Sequence, residues 1–243
     1  MRVFILLILV LNLQAAHYDL VVLAGQSNAQ GWAGDARHYP RGQRDLDAQI
    51  PFYYHFPRMS SSEGKWISLS PQKGRFKAGH FGPEITFARE LLQQGRQPAI
   101  FKFTVGGSSL EKMWKPPGND GLYDVMIRSL RHATATLEDK GHQVTISALI
   151  WIQGEADAVE PGSAARYETH LRQLIAHFRT HVAERQQLPI LLGLDEQNPY
   201  VRRRPIVLSA QKKIAIEDAW IERTSMLKLR KSDRTHLTPS ALE

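Results

Sequence analysis

A serine, a histidine and an acid can together hydrolyse an ester, and this chain offers one set at suggestive positions. Ser27 stands just past an apolar run, behind Gly25 and ahead of Gly31. A serine on such a tight turn into a helix has backbone amides and the helix dipole beside its oxygen, which favours negative charge there. The same residue would serve as a plain helix N-cap. The turn is not the G-x-S-x-G elbow of another hydrolase fold, since Ala29 occupies the second glycine position. A serine nucleophile needs a base, and the base needs an orienting acid. Asp233 and His236, spaced i, i+3 in a polar stretch, let the carboxylate reach Nδ1 while Nε2 faces Ser27. The other histidines lack that combination and read as surface or capping residues. Acyl transfer also needs donors for the oxyanion. Gly106 and Gly107 let a backbone N–H approach closely, although they also suit an ordinary strand-to-loop turn. Gln153 offers a side-chain amide. As a donor its loss would depress kcat; as a packing residue its loss would lower stability instead.

These residues lie far apart in sequence, so a fold must gather them. Near-continuous apolar runs at Asp19 to Ala24, Ala99 to Val105, Val144 to Ile152 and Pro189 to Leu194, with a weaker one at Ser225 to Leu229, suit strands buried on both faces of a parallel sheet. Tyr167, Leu171, Leu174, Ile175, Phe178 and Val182 recur at helical spacing, as do Leu122, Met126, Leu130, Ala133 and Leu137. Pro83 opens a further helix that runs to about Gln94 with Gly95 as its stop, and another covers Ile206 to Ala219. Alternating strands and helices predict an α/β protein with helices on both faces of about five parallel strands. Such sheets place their sites at the carboxyl ends of the strands. The clusters at 25–28, 106–109, 153–155 and 233–236 follow strand candidates directly, so one sheet edge would bring them together. Residues 35–80, rich in proline and in aromatics such as Tyr39, Phe52 and Trp66, break the alternation. They read as an ordered excursion, either near the site or packed over a helix.

Composition narrows the classes. The chain has 243 residues and a formal charge of +7, with basic residues scattered rather than interleaved with aromatics, so no nucleic-acid partner is expected. It has no cysteine, which excludes disulfides, thiol catalysis and cysteine-held metals. No nucleotide-binding glycine pattern and no H-E-x-x-H is present. Arg2, the apolar run from Val3 to Leu11 and the small residues Ala15-Ala16 read as a signal peptide over residues 1–16. That run is shorter than the ~20 residues a bilayer span needs. The expected product is a secreted or periplasmic protein, with residues 17–243 as one domain and no membrane contact beyond the signal peptide; the oligomeric state is left open.

Read in order, GQSNAQGWAGD, FGPEITFARE, VGGSSLEKMW, WIQGEADA and DRTHLT resemble the blocks of the SGNH hydrolases, in the group of sialate O-acetylesterases and acetylxylan esterases known as carbohydrate esterase family six. Each block alone is weak; five in order over nearly the whole mature chain are specific. The resemblance implies a flavodoxin-like three-layer α/β/α sandwich and metal-independent ester hydrolysis with no cofactor. Its substrate would be an acetylated carbohydrate of sialate or xylan type. It puts the nucleophile on Ser27, the acid–base pair on Asp233 and His236, and the oxyanion donors on the Ser27 amide, the Gly107 amide and the Gln153 side chain. Gln26, Asn28, Glu155 and Asp157 would support them. The same chemistry on a lipid or thioester, and a non-catalytic glycan-binding role, are the alternatives. The chain departs from the group's pattern in three places. Ala29 replaces a Met, which would slightly enlarge the acyl pocket. Ile152 replaces a His. Thr238-Pro239-Ser240 looks like the start of a last helix, yet the chain stops at Glu243, which leaves a fragment or a poorly stable variant as the readings.

Overall fold

The computed structural model describes residues 15–243; most of the expected signal peptide, residues 1–14, lies outside them. The strands, in chain order, are β1 (His17–Gly25), β2 (Pro51–Phe56), β3 (Ser60–Ser61), β4 (Ile67–Ser68), β5 (Pro98–Thr104), β6 (Gln143–Ile152), β7 (Ile190–Leu194) and β8 (Ile221–Ser225). The α-helices are α1 (Ser27–Gln30), α2 (Arg44–Asp47), α3 (Glu84–Gln93), α4 (Leu122–Glu138), α5 (Pro161–His181), α6 (Pro199–Arg203) and α7 (Ile206–Glu217). One sheet holds every strand in the order β3-β2-β5-β1-β6-β7-β8, with β4 also paired to β2. The strands from β2 through β8 in that order are mutually parallel; only β3 and β4 run antiparallel, both against β2. Without β2 the order is flavodoxin-like, and the switch point falls at β1, between β5 and β6. No described helix is long and apolar enough to cross a membrane.

Alternation along the strands builds the three layers. Leu20, Val22 and Ala24 face a core completed by α4, α5 and α7, where Tyr167, Leu171 and Phe178 are fully buried. Val21 and Leu23 face the other side, against Ile85 and Ala88 of α3. Burying a large apolar side chain stabilises by about 1.5–3 kcal/mol, so both faces of β1 contribute, and its run reads as continuously hydrophobic.

Several expectations are altered by the structure. The parallel strands number more than five because β2 lies inside the 35–80 excursion. The excursion is ordered and does both things the sequence left open: Tyr39, Phe52, Tyr54 and Phe56 pack into the α3-side core, and Phe56, Arg58 and Met59 lie beside Ser27. The weak run at 225–229 is not the last strand. β8 ends at Ser225 and pairs with β7 from Ile190↔Ile221 onward. As an edge strand its Glu222, Arg223 and Thr224 are exposed, which removes the apolar signal. The expected C-terminal helix is a single 3-10 turn, Pro239–Ala241.

Candidate active site

The carboxyl ends of β1, β5 and β6, together with a hairpin near the C-terminus, converge on one edge of the sheet. β1 delivers Ser27 through two backbone-limited positions. Gly25 has φ +142°, and a Cβ there would lie 2.1 Å from the Ile152 carbonyl oxygen of β6. Gly31 ends α1 at φ +80°, where a Cβ would lie 1.8 Å from the Phe81 carbonyl oxygen. Only glycine tolerates both contacts, so the spacing of the two glycines sets a one-turn helix with Ser27 at its start. A fully buried lysine holds that helix from below. Lys102 Nζ of β5 donates to the Gln30 carbonyl at 3.0 Å, to Gln72 Oε1 at 3.0 Å and to Glu84 Oε2 at 2.5 Å. Burial presses the ammonium's pKa below its usual range, while the Glu84 carboxylate opposes the shift.

Asp233 and His236 sit at the tip of the C-terminal hairpin. His236 Nδ1 lies 2.7 Å from Asp233 Oδ2. Asp233 Oδ1 accepts from the amides of Thr235 at 2.7 Å and His236 at 2.8 Å. Burial pushes the Asp233 carboxyl upward, but the imidazole and the two amides together hold it well below the usual carboxylate range. Ser27, Gly107 and His236 form the wall between two clefts of about 400 Å³ each. The first cleft is lined by Gln26, Ser109, Glu155, Asn198 and Tyr200, with Met113 and Val159 adding apolar surface. The second is lined by Trp32, Phe56, Met59 and Arg58 from the excursion and the α1 loop.

The supporting residues divide by what they touch. Gln26 Oε1 accepts from the Ala156 amide at 3.3 Å. Asn28 Oδ1 accepts from the Leu237 amide at 3.1 Å, and its Nδ2 donates to the Thr235 carbonyl at 3.1 Å, so the residue after Ser27 grips the hairpin. Glu155 is buried beside Asn28 Nδ2, and burial followed by the nearby Asp195 charge pushes its pKa up to about 7. Asp157, fully buried, accepts from the Leu110 and Glu111 amides at 2.7 and 3.0 Å. It thereby starts the π-helical turn Leu110–Trp114, and burial raises its pKa against those bonds.

Gln153 and Ala29 do not lie where the sequence suggested. Gln153 is 1 % exposed and lines neither cleft. Its Nε2 donates to the Ser108 carbonyl at 3.1 Å and to Asp157 Oδ2 at 2.5 Å. An amide carries two N–H donors, so none is left for an oxyanion; Gln153 is a strut that ties β6 to the loop after β5. Gln153→Ala is therefore expected to lower stability by roughly 1–3 kcal/mol through unpaired buried partners, with kcat staying within a few-fold of the parent. Denaturation midpoints read beside acetate release test this, and a collapse of kcat at unchanged stability would return Gln153 to the oxyanion hole. Ala29 is fully buried in the α3-side core, so it cannot widen an acyl pocket. Asp195 and Lys231, joined at 2.6 Å below the hairpin, escaped sequence reading altogether. Neither belongs to a motif, and the polar residue directly after the 189–194 run was the only available signal.

Residues 17–243 match the model of a family described as carbohydrate esterase, sialic acid-specific acetylesterase. No curated protein matches in sequence. Among solved structures, a protein from Arabidopsis thaliana is similar at TM-score 0.69 and 21 % identity, over 94 % of this chain and 93 % of its own. NanS is similar at TM-score 0.62 and 18 % identity, over 90 % of this chain and 79 % of its own. A carbohydrate acetylesterase from Xanthomonas citri gives 0.62 and 22 %, over 90 % of this chain and 52 % of its own. At these identities the structural likeness is one of fold.

Proposed function

The chain belongs to the carbohydrate esterase family of sialic acid-specific acetylesterases and is a carboxylic ester hydrolase of that type; from that premise we propose that it deacetylates a sugar through an acyl-enzyme formed on Ser27. The supporting observation is the 2.7 Å contact of Asp233 with His236, whose imidazole shares a cleft wall with Ser27. In this reading His236 takes the Ser27 hydroxyl proton through Nε2 as Oγ attacks the acetyl carbonyl carbon. Asp233, bound to Nδ1, keeps the imidazole in the required tautomer and stabilises its cation. The Ser27 and Gly107 amides, which have no acceptor among the described residues, face the developing oxyanion. The ester C–O bond then breaks, His236 returns the proton to the departing sugar oxygen, and acetyl remains on Ser27. Water attacks that acyl group with His236 again as base, releasing acetate and restoring the serine.

The test is acetate release from a panel of acetylated sugars, including O-acetylated sialic acid and acetylxylan, with a chromogenic acetate ester alongside. Hydrolysis of the chromogenic ester but of no sugar would move the substrate to another ester class, and hydrolysis of none would favour a binding protein. Within the panel, the second cleft favours an acidic sugar, because Arg58 lines it with no carboxylate in salt-bridge contact among the described residues. Arg58→Gln is expected to lower kcat/KM for the sialic acid ester by about threefold to tenfold, the scale of an exposed ion pair near 1 kcal/mol. The chromogenic ester should be unaffected; an equal fall on both substrates removes Arg58 from sugar recognition.

A further inference from the structure

The hairpin that carries Asp233 and His236 stands apart from the main sheet. Lys231 pairs with Leu237 in an isolated antiparallel bridge. The Ser232 amide donates to the His236 carbonyl at 2.8 Å, and the Thr238 amide donates to the Arg230 carbonyl at 3.0 Å. A lone two-stranded hairpin is marginally stable in water, and the Asp233 side chain at its tip is 54 % exposed. The aim of His236 at Ser27 therefore depends on what grips the hairpin base. Asn28 is one grip, Leu237 buried in the α3-side core is another, and the Trp32 ring lies against His236 with centroids 5.9 Å apart. A further grip is an ion pair that no step of the reaction uses. Lys231 Nζ lies 2.6 and 2.7 Å from the two oxygens of Asp195, with the lysine side chain 10 % exposed and the aspartate 1 %. Asp195 directly follows β7, so its anchor is the rigid end of the sheet.

The pair also reaches the nucleophile side. Asn28 Nδ2 lies 3.4 Å from Asp195 Oδ2 and 3.3 Å from Glu155 Oε1. Two buried carboxylates thus share one asparagine amide, and Lys231 is the cation bonded to this network. Removing a partner from a buried pair leaves the other charge uncompensated, and here that charge would lie beside Asn28, the side chain that links the Ser27 turn to the hairpin of His236.

From these contacts we infer that Asp195 and Lys231 are positioning residues, a clip that sets the His236–Asp233 pair against Ser27. The inference rests on the triad reading given above. Lys231→Met and Asp195→Asn are each expected to lower kcat by up to about a hundredfold, the loss that follows a displacement near 1 Å, with KM for a small acetate ester unchanged. Lys231→Arg should recover most of the activity, because a guanidinium can bridge both carboxylate oxygens. In the double variant the two losses should not add, since both remove the same contact.

The measurements are steady-state kinetics of these variants, normalised to folded protein by circular dichroism and thermal melting on the same preparation, with His236→Ala as control. Wild-type kcat per folded molecule in Lys231→Met and Asp195→Asn, whatever their melting temperatures, overturns the clip. So do losses that add, or a failure of Lys231→Arg to recover activity. If Lys231→Met does not fold, Lys231→Arg and Asp195→Asn carry the test. Activity retained by His236→Ala would bring down the triad reading and the clip with it; an inactive His236→Ala beside fully active clip variants would bring down the clip alone.

Discussion

Ser27→Ala is expected to abolish nearly all turnover while leaving the protein folded. Loss of a triad member in a serine hydrolase leaves only the rate that binding and the oxyanion hole supply, roughly 10³ to 10⁴ above the uncatalysed reaction, so kcat should fall by several orders of magnitude. Ser27 is 7 % exposed at the entrance of α1, and its hydroxyl has no hydrogen-bond partner among the described residues. Alanine therefore removes no bond from the fold, and it is also a better helix former. The turn itself depends on Gly25, Gly31 and Lys102, which the substitution leaves alone. Acetate release and thermal melting on the same preparation decide the matter. An unshifted melt with activity lost fits a nucleophile; most of the activity retained would remove Ser27 from the mechanism and with it the acyl-enzyme.

The second large effect is expected at Asp233. Asparagine is nearly isosteric, and its Oδ1 can still accept from the Thr235 and His236 amides that now hold the carboxylate. What changes is the atom 2.7 Å from His236 Nδ1. An amide nitrogen there donates to Nδ1, which pushes the imidazole proton onto Nε2, where a proton is already present when Ser27 must lose its own. In a serine protease the equivalent change costs about 10⁴ in kcat; an ester releases an alcohol more readily than an amide releases an amine, so a somewhat smaller loss is expected here. The pH profile should carry the same signature. Asp233 is held well below the usual carboxylate range, so it stays ionised as pH falls through that range, and the acid limb of wild-type kcat/KM should follow another group. Glu155 is the competing carboxylate, since it lines the first cleft and is buried. If Glu155→Gln reduces kcat far more than Asp233→Asn, the acid of the triad has been placed on the wrong residue.

Much of the sheet was readable in advance because strands buried on both faces need apolar residues at every position. β1, β5, β6 and β7 therefore announced themselves, as did the long helices whose apolar residues recur at helical spacing. The serine turn was legible through its two glycines, because a backbone that passes within van der Waals distance of neighbouring carbonyls admits no side chain. The Asp233–His236 contact was legible because an i, i+3 pair needs only a local turn. Elements with weaker patterns were misread. β8 is an exposed edge and carries polar residues, and β2 begins on a proline inside a segment whose aromatics fit a loop as well as a strand. Only the tertiary structure could decide the polar partners. Gln153 directly follows β6, where the sequence offered an oxyanion donor, yet its amide is held by Asp157 and by Ser108, 45 residues away in sequence. Asp195 and Lys231 meet across 36 residues, and Asn28 reaches Leu237 across 209. A sequence shows which side chains can donate or accept, but a buried polar group takes whichever partner the packing of distant segments brings within about 3 Å, and that is settled only when the whole chain is folded.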